Sequence, residues 1–437
     1  MSGQIHFKFE EDIFEEICAL GTLRIAFKLV KQNKGAPGID GITIEKFEEN
    51  LEEELNQLRH EVLNWKFKPT PVRRVEIPKP GGKGIRLLGI PIIRDRVLHM
   101  AIKMVLEPIL DPKFSKNSFG FRPGKNQQQA VLQAQKIVQS GKEFIVDIDL
   151  SKFFDRINHD KLIHRLGQDI KDKRVLRLIG MILRGGIMID GVSTPSEEGS
   201  VQGSPLSPLL SNVVLDELDK ELENRNLEFC RFADDCNIFA RTKRQADRLM
   251  ASVKKYIEKK LKLKINEEKS KTAKSNQVKF LGMTIVDGTI AISKAAINKA
   301  MEKVKELIPR GTHLSIEHTV KTINSWYTGW ASYFKMTQYP AQLKNIEAHI
   351  RRRLRAMFVN QAKNKRGLLS KLYKRGIDKQ DAKKAVYSNQ GIWKMSHERV
   401  VEKAYSVEWF TWQLGVKLTS GKRLDHWFDI KKWVKLA

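Results

Sequence analysis

The sequence predicts an α+β fold up to about residue 290, followed by a helical and strongly basic region. Two observations predict this division. Short runs of strand-forming residues alternate with segments of helical periodicity in the first part, as in a sheet covered by helices. Strand signals then become few, and residues 291–437 carry 30 lysine and arginine residues against 11 acidic ones.

Charge and composition narrow the classes of function. The chain has 437 residues, a hydrophobic content of 41% and a net charge of +28, which suits a globular protein of two or three domains. Residues 1–60 are acidic, with a net charge of −5. A long basic surface indicates a polyanionic partner. Nucleic acid is favoured over an anionic membrane, because no basic helix shows a wide apolar face.

Targeting signals and cysteine use indicate a cytoplasmic protein. No apolar run is long enough to span a bilayer, and residues 1–12 lack the apolar core of a secretory signal. The cysteines Cys18, Cys230 and Cys236 form neither a disulfide framework nor a CxxC pair. We therefore expect a protein of a reducing cytoplasm that makes no membrane contact.

Helical periodicity predicts helices over 9–32, 43–64, 94–110, 126–139, 160–184 and 245–261. Thr43 is expected to cap the second of them. Ser207 is expected to cap a further helix with Pro208 at its first position. A hairpin is predicted over 187–193 and a short strand over 278–283.

A basic hairpin is predicted between residues 72 and 90. The strands 72–77 and 85–90 flank a turn rich in proline and glycine. Lys79 and Arg86 lie beside this turn, where both could reach one anion. The alternative is a solvated basic turn without a ligand.

Two stretches carry aspartates within apolar strands. Asp147 and Asp149 lie two positions apart in residues 143–150, so their side chains share one strand face. Ser151 is expected to cap the following turn, which leaves Asp149 free. Such a buried carboxylate requires a cation or hydrogen-bond donors.

The second stretch is Phe229–Ala240, in which Asp234 and Asp235 separate two apolar runs. This pattern predicts a tight hairpin with the two aspartates at its tip. Inert turn aspartates are the alternative interpretation. If the strand of Asp149 is a neighbour, three carboxylates converge on one site suited to Mg²⁺ and to phosphoryl transfer.

The basic region contains seven of the eight tryptophans. Trp326, Trp330 and Phe334 recur every fourth residue, a spacing typical of a helical core. Four arginines follow at helical pitch, and the charge of the region favours phosphate contact over a solvated face. They are Arg351, Arg352, Arg353 and Arg355.

Seven blocks in this order resemble those of reverse transcriptases of the group II intron type. They are Ile77–Pro80 with Arg86–Pro91, Ser118–Pro123, Asp147–Asp155, Gln202–Leu209, Phe232–Asp235, Asn266–Lys269 and Phe280–Gly282. The resemblance covers nearly the whole chain and implies a right-hand polymerase. Fingers and palm with an antiparallel sheet would occupy 1–290, a helical thumb with maturase function 291–365, and a small basic nucleic-acid-binding region 366–437.

The family's roles imply a metal site and a steric gate. Asp149, Asp234 and Asp235 would be the catalytic ligands of two Mg²⁺ ions, for which Mn²⁺ could substitute, with the Leu150 carbonyl as a further ligand. Phe154 would occupy the space that a 2′-hydroxyl needs and so favour dNTPs over rNTPs.

The family's roles also imply a nucleotide pocket. Lys79 and Arg86 would hold the triphosphate, and Lys269 is a candidate general acid for the departing pyrophosphate. The other substrate-binding positions are Gln202, Gly203, Phe232 and Ala233.

Two residues depart from the family pattern. Phe232 replaces the usual tyrosine, which removes a hydroxyl but keeps the ring, so we expect activity to survive. Val201 replaces a proline and changes only the stiffness of its loop. The optional HNH endonuclease is expected to be absent, because its cysteine pairs are missing before the end at Ala437.

The resemblance implies an RNA-directed DNA polymerase that takes dNTPs, an RNA template or intron RNA, and a DNA primer or target DNA. Intron RNA binding would support splicing and retrohoming, and a homodimer is left open. One alternative is a related enzyme that works outside an intron, in DNA repair or in phage or CRISPR defence. The other is a non-enzymatic RNA-binding splicing factor.

Overall fold

The computed structural model describes residues 13–78, 84–189, 192–194, 198–309, 311, 314–362 and 364–418. The chain divides into two compact units, residues 1–274 and 275–437, whereas the sequence predicted boundaries at 290 and 365. Within the described residues, no helix combines the length and the apolar character needed to cross a membrane.

The first unit combines helices with eight strands in its described part. Helices α1–α10 span Ile13–Cys18, Leu20–Gln32, Ile44–Glu49, Leu51–Leu63, Ile93–Leu110, Gln127–Gln139, His159–Asp169, Lys173–Leu183, Ser207–Asn224 and Lys243–Tyr256. Strands β1–β8 span Val72–Pro78, Ile85–Ile90, Phe144–Ile148, Ile187–Ile189, Val192–Thr194, Phe229–Phe232, Asp235–Ala240 and Lys271–Lys274.

Two four-stranded sheets organise this unit. One has the order β6-β7-β3-β8 and is antiparallel throughout, which confirms the predicted antiparallel sheet. The other has the order β2-β1-β4-β5, in which β1 and β4 are parallel. The predicted hairpins β1–β2 and β4–β5 are both present.

Helix limits depend on local capping that periodicity does not show. The predicted cap at Thr43 is confirmed, since its hydroxyl accepts a hydrogen bond from the Lys46 N–H at 3.3 Å. The predicted helix over 160–184 is divided, because Asp172 caps a new helix, α8, through the Arg174 N–H at 2.9 Å. Ser207 is the first residue of α9 rather than its cap.

The second unit consists of a hairpin and helices. Strands β9 and β10 span Met283–Val286 and Thr289–Ile292, and helices α11–α17 span Lys294–Leu307, Ile316–Phe334, Pro340–Asn360, Lys365–Tyr373, Lys379–Val386, Ile392–Met395 and Arg399–Ala404. One apolar core runs from Ala300 to Val416, so the predicted boundary at 365 passes through it.

The hairpin β9–β10 is attached to the helices of the second unit. The side-chain oxygens of Gln338 and Gln342 accept hydrogen bonds from the N–H groups of Ile290 and Ile292, both at 2.8 Å. The unit boundary therefore precedes the hairpin instead of following it. The strand predicted over 278–283 begins only at Met283, after a turn.

Candidate active site

The β6–β7 turn presents one aspartate at its tip. Phe232 pairs with Asp235, so the tip consists of Ala233 and Asp234, one residue earlier than predicted. Ala233 has a φ of +57°, in the left-handed region that short hairpin turns require. Asp235 therefore belongs to strand β7 and not to the tip.

Asp149 follows β3, the neighbour of β7. Ile148 pairs with Cys236, which brings this end of β3 beside the β6–β7 turn. The Asp149 backbone is held from the other side, where its carbonyl accepts the Asn266 N–H at 2.8 Å and its N–H donates to the Ser270 hydroxyl at 3.0 Å. The strand order thus brings together two aspartates that lie far apart in the sequence.

A cleft of about 860 Å³ opens beside these aspartates. Many of the predicted site residues line it, namely Arg86, Asp149, Leu150, Phe154, Gln202, Asp234 and Lys269. The described residues that line the cleft do not include four other predicted site residues, namely Gly203, Phe232, Ala233 and Asp235. Lys79 lies outside the described residues.

The charges in the cleft influence one another. Burial raises the pKa of Asp234, and the Asp149 carboxylate raises it further, while Lys269 and Arg86 lower it. The Lys269 ammonium forms an ion pair with Asp149 Oδ2 at 3.3 Å. A cation bound between the two carboxylates would remove their repulsion.

Of the three aspartates predicted as metal ligands, two line the cleft, namely Asp149 and Asp234. Within the described residues, no group of three or more His, Cys, Asp or Glu side chains is arranged to hold a metal ion. Asp149 and Asp234 nevertheless supply the hard oxygen donors that Mg²⁺ prefers, and this ion commonly binds one or two carboxylates plus waters and phosphates. The donor chemistry therefore fits a divalent cation at these two residues.

The strand that carries Arg86 lies directly against the loop that carries Gln202. The Gly89 N–H donates to the Gln202 carbonyl at 2.9 Å. Gly203 has a φ of +130°, and a Cβ there would lie 2.4 Å from the Gly89 carbonyl oxygen. Only glycine permits this approach, so Gly203 allows the loop of Gln202 to lie against β2.

Phe154 lies in a 3₁₀ turn, Phe153–Arg156, after the strand of Asp149. The residue before this turn is Lys152, with a φ of +51°, and no side chain caps the turn. The predicted cap by Ser151 is therefore wrong. The Phe154 ring packs edge-on against the buried Phe153 ring, with 5.2 Å between centroids, and borders the cleft.

A buried cluster beneath the aspartate turn was missed by sequence reasoning. Arg231 and Asp219 are fully buried and form two hydrogen bonds, of 2.7 and 2.5 Å. Arg231 Nη1 also donates to the Ala233 carbonyl at 2.9 Å and to Asn212 Oδ1 at 3.1 Å. The sequence offered two signals of this cluster. Arg231 is a charged residue within the apolar strand β6, and Asp219 lies among the apolar residues of helix α9.

Two of the four α13 arginines that were predicted to contact phosphate are buried inside the second unit. Arg353 and Arg355 are buried and donate to the carbonyls of Ile308 and Tyr405, at 2.8 and 3.0 Å. Arg352 lies over the Trp393 ring at 4.1 Å. Arg353 and Arg355 thus stabilise the second unit, and neither guanidinium is free to contact phosphate as predicted.

The remaining arginine of this cluster is also withdrawn from the surface. Arg351 is mostly buried, with Nη1 at 3.9 Å from a Glu347 carboxylate oxygen. Burial lowers the pKa of Arg351, against the raising effect of Glu347.

Two family models match the chain. Residues 77–285 match "Reverse transcriptase (RNA-dependent DNA polymerase)". Residues 297–376 match "Group II intron, maturase-specific domain". The first range contains the whole cleft lining except the Val72 and Arg74 side of β1, and the second lies within the second unit.

Curated relatives agree with these matches. The chain is 32% identical to Protein YkfC of Escherichia coli over 60% of its own length and 79% of that protein. It is 33% identical to the Group II intron-encoded protein LtrA of Lactococcus lactis, over 47% of its length and 34% of LtrA. It is 38% identical to the putative COX1/OXI3 intron 2 protein of Saccharomyces cerevisiae, over 46% of its length and 24% of that protein. The chain thus spans only a quarter to a third of the latter two.

Proposed function

The chain belongs to the family of group II intron-encoded reverse transcriptases, and we propose that it extends a primer in the cleft that Asp149 and Asp234 border. As an enzyme of this family it is an RNA-directed DNA polymerase with a maturase domain. The observation that carries the proposal is that these two carboxylates, distant in sequence, line one cleft together with Arg86 and Lys269.

The acidic pair would hold the divalent ions that phosphoryl transfer needs. When bound, Mg²⁺ would supply charge stabilisation at the primer 3′-oxygen and at the triphosphate. Asp149 and Asp234 would bind through their carboxylates, with the Leu150 carbonyl and Asp235 as the further proposed ligands. The raised pKa of Asp234 supports this assignment, because a buried carboxylate beside another carboxylate favours a cation or a proton.

The fingers strand and its neighbouring loop would bind the nucleotide. Arg86 lies on β2, near enough to Asp234 to affect its pKa, and would bind the triphosphate together with Lys79. Gln202 and Gly203 would shape the pocket, since the Gln202 carbonyl is fixed by the Gly89 N–H. Phe232 and Ala233 would place the primer end beside Asp234.

Two further side chains would contribute to nucleotide selection and to proton transfer. Phe154 would exclude nucleotides that carry a 2′-hydroxyl, because its ring borders the cleft. Lys269 would protonate the leaving pyrophosphate, and its ion pair with Asp149, a proposed metal ligand, supports this role.

The partners proposed are RNA and DNA. The net charge of +28 supports binding of a polyanion, and the maturase match supports intron RNA as one ligand. The three buried, unpaired cysteines support a reducing compartment such as the bacterial cytoplasm.

Single-nucleotide extension of a DNA primer on an RNA template with Mg²⁺ tests the proposal. We expect Asp234→Asn to reduce the rate by at least about 1,000-fold while the melting temperature stays within a few degrees. A wild-type rate for this variant would refute the assignment of the cleft.

A further inference from the structure

The backbone of Phe154 is held by a neighbouring segment, Glu198–Ser200. The Ser200 N–H donates to the Phe154 carbonyl at 2.7 Å, and the Gly199 N–H donates to the Ile157 carbonyl at 2.8 Å. An isolated bridge pairs Asn158 with Glu198. The position of Phe154 is thus coupled to the position of this segment.

The two segments lie so close together that a side chain between them would need the backbone to shift. Gly199 has a φ of +95°, and a Cβ there would lie 3.0 Å from the Phe154 carbonyl oxygen and 3.1 Å from Asp155 Cα. A side chain at position 199 would therefore press on the backbone of residues 154 and 155.

One buried side chain holds Gly199 by its carbonyl group. His159, the first residue of α7, is 4% exposed, and its Nε2 lies 2.7 Å from the Gly199 carbonyl oxygen. Because a carbonyl oxygen only accepts, Nε2 carries the proton in this contact. The Ser200 hydroxyl donates to the Ser207 hydroxyl at 2.7 Å, which fixes the next residue to α9.

We propose that His159 is a specificity-determining positioning residue, which fixes Gly199 and Ser200 and through them the Phe154 ring. The inference rests on the proposed gate role of Phe154. A steric gate discriminates only while its ring stays within about 0.5 Å of its productive position. Loss of the His159 hydrogen bond leaves the Gly199 carbonyl buried and unpaired, so the segment shifts and the ring gains freedom.

The test compares His159→Leu, which removes the donor, with His159→Gln, whose amide can restore it. The readout is the ratio of kcat/KM for a dNTP to kcat/KM for the matching rNTP, since loss of stability alone does not change this ratio. We expect the ratio to fall about tenfold in His159→Leu and to stay within about twofold of wild type in His159→Gln. His164→Leu changes an exposed histidine of the same helix and should leave the ratio unchanged.

A double-variant cycle with Phe154→Ala separates this inference from the proposed gate. If Phe154→Ala alone leaves the ratio unchanged, the gate role falls and the inference with it. If Phe154→Ala lowers the ratio but His159→Leu does not, only the inference falls. If both lower it, the double variant should be no less selective than Phe154→Ala, and additive losses would contradict an action through Phe154.

A second variant is available if His159→Leu does not fold. Gly199→Ala adds the methyl group that meets the Phe154 and Asp155 backbone and should lower the same ratio. An unchanged ratio in folded Gly199→Ala protein would overturn the coupling between this segment and the gate.

Discussion

The buried pair of Arg231 and Asp219 should be essential for the stability of the aspartate turn. Arg231→Met would leave the Asp219 carboxylate buried without its partner, and the Ala233 carbonyl would lose its donor. Both side chains have no solvent exposure, so water cannot compensate for the loss.

The magnitude follows from this burial. Removing one partner of a buried ion pair costs about 3–5 kcal/mol, whereas replacing both partners with apolar residues is often neutral. Arg231→Met should therefore lower the free energy of opening by about 3–5 kcal/mol. Arg231→Met combined with Asp219→Leu should recover most of that loss. Asn212 Oδ1 and the Ala233 carbonyl lose their Arg231 donor in the single and in the double variant.

Amide hydrogen exchange can measure this loss of stability locally, in the first unit. Peptides that cover strands β6 and β7 report the local free energy of opening. We expect their exchange to be more than about 100-fold faster in Arg231→Met than in wild type. Peptides from helix α12, in the second unit, serve as the internal control.

Two results would contradict this role of the Arg231–Asp219 pair. A loss below about 1 kcal/mol in Arg231→Met would show that the pair contributes little. Additive losses in the double variant would show that the two side chains act independently.

Three further predictions concern burial and close contacts. Burial raises the pKa of Asp95 to about 7, so the folded state retains a proton that the unfolded chain loses above about pH 4. This group should therefore lower the free energy of unfolding by up to about 4 kcal/mol from pH 4 to 7, and urea titrations of Asp95→Asn should lack that fall. Gly120→Ala would place a Cβ 2.2 Å from the Ala233 nitrogen and should reduce primer extension at least about tenfold. Ser270→Ala removes the hydroxyl that holds the Asp149 backbone, and titration of primer extension should show a higher Mg²⁺ requirement.

Periodicity and turn signals predicted the elements better than their exact pairing. The β1–β2 hairpin and the strand before Asp149 follow directly from alternating apolar residues and flanking turn residues. The turn tip was misplaced by one residue because Asp234 and Asp235 both suit a turn. The pairing of Phe232 with Asp235 shows that Asp235 belongs to the strand and Asp234 to the turn.

The resemblance supplied site residues that the local sequence could not rank. Lys269 follows no recognisable local pattern, yet the structure places it beside Asp149. The burial of Arg353 and Arg355 could not be predicted, because their partners are backbone carbonyls about 45–50 residues away in sequence. A run of arginines on a helix indicates charge, but not which of its faces is covered.

Asp149 and Asp234 should together bind a divalent ion. The most direct measurement is Mn²⁺ titration of the full chain followed by electron paramagnetic resonance, in wild type, Asp149→Asn and Asp234→Asn. We predict that each substitution weakens binding at least about tenfold, without loss of folded structure. Wild-type Mn²⁺ affinity in both variants would contradict the account.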